Sequence, residues 1–311
     1  MRLSLAIIPL SIFFVTLLFY SELQTFLLVN YYQTISYFSQ KYSNRVNNES
    51  VNFPKSIYEP WRDCILQNIS NYDHKEIWDK IKLGIAECEG PWNKTLQIRD
   101  FRNRDEIKRH VLPVRNESSV IVSFGVGNDI QSEEGLKNAS KYPIEFYGAD
   151  PVYENNAKLF GKFGAFFNFA LGGESGISKA RVLVDKKYVD KMVTVIDLIY
   201  FLDEILRKKL YDAIWADAEG GEYGFMDDLY KGGKLDQHNI TVCQMNLEMH
   251  RPNEEQQRFI RGFFFRLLDD KRYIFLRCVR SSHNMRVYLF NVENEQCVRK
   301  YVQGSIIQQN R

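Results

Sequence analysis

The sequence contains little proline or cysteine and no excess of charge of one sign. Its 8 prolines and 18 glycines in 311 residues exclude a collagen-like repeat, and its 5 cysteines exclude a disulfide-dense miniprotein. The net charge is only +2, which predicts no nucleic-acid partner, because phosphate binding needs a concentrated basic face. Hydrophobic residues make up 45% of the chain, so it is not disordered. The length permits one large domain with accessory segments, or two small domains.

An uncharged apolar stretch, Leu3–Tyr20, follows Arg2 near the amino terminus. At about 1.5 Å per residue, a helix of this length almost spans the ~30 Å hydrocarbon core of a bilayer. The exit residues Phe19-Tyr20-Ser21 suit signal-peptide cleavage poorly, so we predict an uncleaved signal-anchor over residues 1–22, with a cleaved signal peptide as the alternative. The rest of a single-pass protein would then face the lumen of the endoplasmic reticulum or Golgi.

Glycosylation sequons and cysteine spacing agree with a luminal location. The Asn-x-Ser/Thr sequons begin at Asn48, Asn68, Asn93, Asn116, Asn138 and Asn239. The five cysteines lack the Cys-x-x-Cys spacing of zinc and redox sites. Pairs Cys64–Cys88 and Cys278–Cys297 are one possible arrangement, but the sequence leaves the connectivity open.

The chain divides by composition and periodicity. Residues 23–60 are rich in Tyr, Ser and Asn and suit a stalk. Trp61, Ile65 and Ile69 repeat at four-residue spacing, which predicts a helical lead-in over residues 61–115. The main domain spans residues 116–302, and residues 303–311 form a tail.

Short apolar runs alternate with helical patterns from Val120 onward, which predicts an α/β domain with a mostly parallel sheet. The predicted strands are Ser119–Phe124, Ile144–Ala149, Ala165–Leu171, Ala213–Ala216 and Thr241–Glu248. The predicted helices include Tyr188–Leu210 and Glu254–Leu268, on both faces of the sheet. Segments Tyr273–Val279 and Arg286–Val292 are close enough in sequence to form a closing antiparallel hairpin.

Two polar features stand at the ends of the first two strands. Gly125 and Gly127 follow the first strand, and such a turn lets a ligand approach the backbone closely. Asp150 ends the second strand, where a carboxylate can accept both ribose hydroxyls of an adenosine-containing ligand. The alternatives are a plain strand-to-helix turn and a helix cap. Together the two features indicate a nucleoside site.

A third and a fourth polar feature stand on later strands. Asp217 and Glu219 fall at the end of a predicted central strand, where α/β proteins bind ligands, although acids here can also complement a helix dipole. Asn246, Glu248 and His250 alternate with apolar residues and share one strand face, which indicates a cleft wall or a solvated edge strand. The remaining histidines, predicted at the surface, are His74, His110, His238 and His283.

The chain from about Val120 to Val292 resembles the FkbM-type branch of the S-adenosylmethionine-dependent methyltransferases, in its divergent membrane-anchored animal form. The matching segments are Phe124–Asp129, Gly148–Pro151, Val193–Leu198, Asp217–Glu222 and Leu247–His250. The Asp-x-Glu-Gly-x-Glu string at Asp217–Glu222 is the most diagnostic. Two departures are the absence of a third glycine after Gly127 and the presence of Trp215-Ala216, where the family usually has a basic residue and an isoleucine.

The resemblance implies a Rossmann-like methyltransferase sheet, S-adenosylmethionine as cofactor, and methylation of an oxygen on a small-molecule or glycan acceptor. It implies that the cofactor is held by Gly125, Gly127, Asp129, Asp150, Phe169, Ala170 and Asp217. The implied bases or acceptor-orienting groups are Glu219, Glu222 and His250. No metal ligand is predicted, although Asp217 with Glu219 suits a divalent ion.

Two other functions fit the same pattern. A luminal glycosyltransferase would use Asp217-Ala218-Glu219 to hold a metal that bridges a sugar diphosphate. A non-catalytic binding module would retain the fold without turnover. Ligand-induced stabilisation distinguishes them, by S-adenosylhomocysteine without metal or by a nucleotide sugar with manganese. The oligomeric state is not indicated by the sequence.

Overall fold

The computed structural model describes residues 55–184, 187–281 and 283–302. Within these ranges, no helix is both long enough and apolar enough to cross a membrane. The predicted anchor at residues 1–22 and the predicted tail at residues 303–311 lie outside the described part of the chain. Residues 23–54 of the predicted stalk, with the sequon at Asn48, lie outside it as well.

The described residues form eight α-helices and twelve strands, joined in places by short 3-10 or π turns. The helices are α1 (Lys55–Ile69), α2 (His74–Cys88), α3 (Gly90–Thr95), α4 (Gln131–Ala139), α5 (Glu154–Phe160), α6 (Lys234–Gln237), α7 (Glu254–Asp270) and α8 (Glu295–Tyr301). The first strands are β1 (Ile98–Arg102), β2 (Ile107–Val111), β3 (Ser119–Phe124), β4 (Ile144–Ala149), β5 (Ala165–Phe167) and β6 (Ala170–Gly172). The later strands are β7 (Gly176–Val184), β8 (Lys187–Asp197), β9 (Leu210–Asp217), β10 (Thr241–His250), β11 (Tyr273–Arg280) and β12 (Asn284–Asn291).

A seven-stranded sheet with the order β11-β12-β10-β9-β3-β4-β5 forms the centre of the domain. Strands β10, β9, β3, β4 and β5 run parallel, and β12 joins β10 antiparallel as part of the closing hairpin with β11. This confirms the predicted mostly parallel α/β sheet and its C-terminal hairpin. The register places Glu248 opposite Asp217 and Phe124 opposite Ala216, so the carboxyl ends of three neighbouring strands meet.

Both faces of the sheet are covered. On one face, Ser123 of β3 donates a hydrogen bond from Oγ to Glu133 of α4 at 2.8 Å. On the other face, the ring of Phe275 in β11 packs against Trp61 of α1 and Phe264 of α7, with centroids 5.1 and 5.0 Å apart. Central strands enclosed in this way are apolar on both sides, as β9 is over most of its length.

The predicted helical lead-in is helical only as far as Thr95, where α3 ends. The antiparallel β1–β2 hairpin follows and lies against β10. The side-chain amide of Asn246 accepts from the Arg109 N–H and donates to the Arg109 carbonyl, both at 2.7 Å. Gln244 bonds the backbone of Val111 in the same manner, at 2.8 and 3.2 Å. These two polar side chains of β10 therefore hold the hairpin.

Two strand and helix predictions differ from the structure. The predicted helix Tyr188–Leu210 is instead strand β8, a short π-helical turn at Tyr200–Ile205 and the start of β9. The predicted strand Ala165–Leu171 is interrupted at Asn168, whose side-chain amide donates to the Asp150 carbonyl at 3.0 Å. Its two halves therefore join different sheets, β5 beside β4 and β6 beside β8.

One predicted cysteine pair is present and the other is wrong. Cys64 in α1 is bonded to Cys88 in α2, with their Cα atoms 5.7 Å apart. Cys297 in α8 is bonded to Cys243 in the core strand β10, and Cys278 is a free thiol. The predicted surface position of His110 is also wrong, because its side chain is buried.

Candidate active site

A cavity of about 570 Å³ opens at the carboxyl ends of β3, β4 and β9. This volume falls in the range of about 300–1,000 Å³ that is typical of small-molecule sites, and the position is where open α/β sheets bind ligands. Every residue predicted to hold the cofactor lines it: Gly125, Gly127, Asp129, Asp150, Phe169, Ala170 and Asp217. Of the predicted catalytic residues, Glu219 lines the cavity, whereas Glu222 and His250 stand behind its wall.

The glycine turn after β3 needs its glycines for two different reasons. Gly125 has φ of +78°, and a Cβ there would lie 2.2 Å from the carbonyl oxygen of Asp217. Gly127 has φ of +61°, and a Cβ there would meet nothing within 4 Å. The first glycine is required by close packing between strands, and the second leaves the cavity open beside the backbone.

Asp150 ties this turn to the second strand. Its Oδ2 accepts the Gly127 N–H at 2.9 Å and its Oδ1 accepts the Val152 N–H at 2.8 Å. Burial raises the pKa of this carboxyl group although these bonds oppose the change. Asp150 also lines the cavity, directly after β4.

Two supporting residues of the turn were missed in the sequence. The buried side chain of Asn156 in α5 accepts the Asn128 N–H at 2.7 Å, and Asn168 braces the carbonyl of Asp150. Asn156 lies in a short helix and Asn168 lies between two short strands, so neither belongs to a periodic sequence pattern. Only the folded arrangement identifies their contacts.

Asp129 and Phe169 are more constrained than the sequence indicates. Asp129 Oδ2 accepts from the backbone N–H and from Nε of Arg104, at 2.9 and 3.0 Å. The ring of Phe169 packs against Phe201 and Phe124, with centroids 4.8 and 6.3 Å away. Both residues reach the cavity, but each also has a structural role.

Part of the cavity wall was missed because it lies on β7, in the segment before the incorrectly predicted helix. Its lining residues there are Ser178, Lys179, Ala180, Arg181 and Val182. The neighbouring run Val193-Thr194-Val195-Ile196 in β8 is rich in β-branched residues, and that composition is the signal that favoured a strand.

Beside the cavity, an imidazole lies among three carboxylates. His250 Nε2 is 3.3 Å from Asp217 Oδ1 and 3.4 Å from Glu248 Oε1. On the other side of the ring, Nδ1 is 3.3 Å from Glu222 Oε1, which also accepts the His250 backbone N–H at 2.6 Å. We call these four residues the acid–histidine cluster.

Two residues of β12, Arg286 and Asn284, complete the surroundings of the cluster. Arg286 Nε donates to Glu248 Oε2, and Asn284 Nδ2 donates to Glu248 Oε1, both at 2.5 Å. The sequence placed β12 in the closing hairpin, but it did not indicate that this strand supplies a cation to the site.

Burial and charge change the acidity of these groups in different directions. Burial is the largest influence on the pKa of His250 and lowers it, but hydrogen bonds to the three carboxylates outweigh it and leave the pKa raised. Burial raises the pKa of Asp217. Burial also acts to raise the pKa of Glu248, yet His250 and Arg286 outweigh it and leave that pKa lowered. The imidazole is therefore protonated at neutral pH, and Asp217 is the cluster carboxyl best suited to exchange a proton.

A parallel sheet with a nucleoside-sized cavity at its carboxyl edge defines a class of ligand-binding α/β protein. Within that class the family is shown directly, because the sequence model of the methyltransferase FkbM domain matches residues 87–298. The chain belongs to this methyltransferase family, and the family indicates S-adenosylmethionine as its cofactor.

Among individual proteins, an uncharacterized protein of Caenorhabditis elegans is 20% identical over 252 residues, covering 78% of this chain and 80% of the relative. The S-adenosylhomocysteine complex of M. capricolum TrmK is 9% identical, covers 58% of this chain and has a TM-score of 0.31; this chain spans 65% of the TrmK length. Human methyltransferase 10 domain containing protein is 10% identical with a TM-score of 0.33, covering 58% of this chain and 74% of its own. Structural similarities as weak as these two do not support conclusions about this chain.

Proposed function

We propose that this protein is an S-adenosylmethionine-dependent methyltransferase that methylates a hydroxyl oxygen. One observation carries the proposal: the glycine turn, Asp150 and Asp217, which are far apart in sequence, line a single cavity at the carboxyl edge of a parallel sheet. The open space beside Gly127 and the position of Asp150 on the cavity wall fit a nucleoside in that cavity.

The proposed roles follow from position. Asp150 would hold the ribose hydroxyls, and the turn at Gly125 and Gly127 would admit the methionine portion close to the backbone. Phe169 and Ala170 would lie near the adenine. When bound, S-adenosylmethionine supplies an electrophilic methyl group on a positively charged sulfonium, and the negative charge of Asp217 suits that wall.

The acceptor hydroxyl must lose its proton near attack, and we assign the proton to Asp217, with Glu219 as the second candidate. Both line the cavity, and burial has raised the pKa of Asp217. Glu222 is fully buried and bonds the Gly220 N–H and His250, so it acts as a positioning residue. His250 is protonated and hence also positions Asp217 instead of serving as a base.

Calorimetric titration of the purified full-length chain with S-adenosylhomocysteine, in buffer containing a chelator, tests cofactor binding. We expect one molecule per chain, and we expect Asp150→Ala to lower the affinity at least tenfold, since a hydrogen bond to a charged group contributes about 1.5–3 kcal/mol. Glu174→Gln is the matched control, because Glu174 is another acid on the cavity wall with no assigned contact to the nucleoside.

Four results would contradict the proposal or part of it. The absence of binding, or an unchanged affinity in Asp150→Ala, would overturn the cofactor site. Stabilisation by a nucleotide sugar with manganese, and not by S-adenosylhomocysteine, would instead favour a glycosyltransferase. Binding without methyl transfer to any hydroxyl acceptor in a screen of glycans and small molecules would favour a non-catalytic module.

We also propose that the domain faces the lumen of the secretory pathway, attached by the amino-terminal segment, where a glycan is the candidate acceptor. Two disulfides support this, because such bonds persist in oxidising compartments. The sequon residues Asn116, Asn138 and Asn239 are exposed and available to a glycan.

Removal of N-glycans should shift the protein on a gel, and alkaline extraction should leave it in the membrane pellet. A protein without N-glycans would contradict the luminal location. Release of the protein into the supernatant would contradict the membrane anchor.

A further inference from the structure

Three atoms of the acid–histidine cluster, all of types that can bind a metal ion, converge at the edge of the cavity. Asp217 Oδ1, Glu248 Oε1 and His250 Nε2 all lie within 4.8 Å of one another, at the carboxyl ends of the paired strands β9 and β10. We propose that these three residues bind a divalent cation of the manganese or zinc type. The proposal departs from the expectation of no metal ligand, and it does not depend on cofactor binding. In the metal-bound chain the acceptor's proton would go to Glu219, the second candidate base, because Asp217 would hold the ion.

The distances suit a metal ion. Nε2 of His250 lies 3.3 and 3.4 Å from the two carboxylate oxygens. A tetrahedral ion with bonds of about 2.0–2.1 Å has ligand atoms separated by roughly 3.3 Å. An ion could therefore enter with small side-chain movements, whereas ideal hydrogen bonds would be shorter.

The other side of the imidazole is already arranged as it is in metal sites. A metal-binding histidine usually donates its second ring N–H to a carboxylate, which fixes the ring and its tautomer. Here Glu222 Oε1 lies 3.3 Å from Nδ1, and the same oxygen accepts the backbone N–H of His250. Glu222 is fully buried, so its carboxylate has no evident purpose other than to hold this histidine and the Gly220 turn.

Asp217 also points to a bound cation. Its Oδ1 is shielded from solvent but has no hydrogen-bond partner of good geometry among the described residues. The side chain as a whole is 29% exposed and borders the large cavity. An ion held by this oxygen would thus be reached from the cavity and would keep free coordination positions on that side.

The charges also match. A metal ion would displace the proton from Nε2 of His250. With the imidazole then neutral, the carboxylates of Asp217, Glu222 and Glu248 and the guanidinium of Arg286 leave two negative charges in the cluster. A divalent cation neutralises them, whereas a single imidazolium proton neutralises only one. Mixed imidazole and carboxylate ligands suit manganese and zinc better than calcium, which takes six to eight oxygen ligands.

Metal titration of the full-length chain tests the site without reference to methyl transfer. After removal of metal with a chelator, Mn²⁺ binding is followed by the electron paramagnetic resonance signal of the free ion, and Zn²⁺ binding by calorimetry. We expect one ion per chain, with the affinity reduced at least tenfold in Asp217→Asn and in His250→Gln. Glu222→Gln should reduce it about 10- to 100-fold through loss of the carboxylate behind the ring.

Two matched controls separate the cluster from other acids and histidines. Glu174→Gln removes an acid that lines the same cavity outside the cluster, and His238→Gln removes a histidine that pairs instead with Asp203. Both should bind Mn²⁺ within about twofold of the wild-type affinity, well inside a tenfold effect.

A wild-type chain that binds neither ion at submillimolar concentration would overturn the proposal, as would variants of the cluster that bind like the wild type. If circular dichroism shows that a cluster variant does not fold, the Mn²⁺ complex of the wild-type chain tests the proposed histidine ligand instead. Its pulsed electron paramagnetic resonance spectrum must contain the nitrogen modulation of an imidazole ligand, and a spectrum without it excludes His250. Binding of S-adenosylhomocysteine to the metal-free chain is measured separately, so failure of either proposal is recognised by itself.

Discussion

The carbonyl oxygen of Asp217 lies directly against the Cα atom of Gly125, where a Cβ would approach it to 2.2 Å. This contact joins the carboxyl ends of β3 and β9, which are paired in parallel. The glycine turn and the acidic string, separated by about ninety residues in the chain, are therefore parts of one site.

We expect Gly125→Ala to lower both the free energy of unfolding and the affinity for S-adenosylhomocysteine. The methyl group would collide with the Asp217 carbonyl, and the left-handed backbone at φ +78° would cost about 1–3 kcal/mol more in a residue with a side chain. Urea denaturation and calorimetry measure the two effects. Gly262→Ala is the control, because Gly262 lies on helix α7 with open space around it and should gain up to about 1 kcal/mol. Equal stability of the two variants would contradict the packing argument.

His110 should make the protein less stable as the pH falls. Burial, assisted by the charge of Lys300, lowers the pKa of His110 to about 3, whereas the unfolded value is about 6.5. Between these two pH values His110 is protonated in the unfolded chain but not in the folded chain. The free energy of unfolding therefore falls by up to about 1.4 kcal/mol for each unit by which the pH decreases in this range. His110→Phe preserves the ring contacts with Trp215 and Tyr301 and should make the pH profile shallower.

The measurement compares the free energy of unfolding of the wild type and of His110→Phe as a function of pH. The comparison is needed because other groups titrate in the same pH range in both proteins. His283→Gln, at an exposed histidine, should reproduce the wild-type profile. If His110→Phe is as pH-sensitive as the wild type between pH 6 and pH 4, the buried histidine is not the cause.

Loss of the Cys243–Cys297 disulfide should destabilise the fold substantially. The bond connects β10 to helix α8 across 54 residues, and the loop-entropy estimate for such a closure is about 4 kcal/mol. We expect the Cys243→Ala/Cys297→Ala variant to unfold at a clearly lower urea concentration. Cys278→Ala deletes a sulfur at the free cysteine and should cost about 1 kcal/mol or less. A double variant as stable as this control would show that the bond contributes little.

Removal of the buried Lys300 should cost about 3–5 kcal/mol, because it leaves the carboxylate of Asp212 without its cation. Lys300 Nζ donates to Asp212 Oδ1 and to the Ser118 carbonyl, both at 2.6 Å. The free energy of unfolding of Lys300→Met, measured in urea, checks this. Adding Asp212→Asn should recover part of the loss, since the unpaired charge is then gone. A loss below 1 kcal/mol in the single variant would indicate that water already reaches this pair.

Local patterns predicted the strands that lead to the cavity. The bounds of β3 and β4 agree with the sequence prediction, because each is an apolar run that ends at a turn-forming glycine or an acid. The same reasoning placed Gly125 and Asp150 at adjacent strand ends. Pairing of neighbouring parallel strands then brings such residues together without further information.

The β7–β8 hairpin was not predicted, for a physical reason. Strand β8, which lies between β6 and β7, mixes lysine and aspartate with valine, and exposed side chains along it obscure the alternation that marks a half-buried strand. Only the pairing of Gly176–Val184 with Lys187–Asp197 makes the extended conformation favourable. The cavity wall that depends on this pairing was therefore missing from the sequence prediction.

By itself the sequence determined which residues stand at the carboxyl ends of the strands, since apolar runs and their terminators are local signals. The tertiary structure alone decided that His250 meets Glu222 and Asp217, that Arg286 reaches Glu248, and that Cys297 pairs in the core. Those contacts depend on strand register and on the packing of distant elements to within about an ångström, and no periodicity within a segment carries that information.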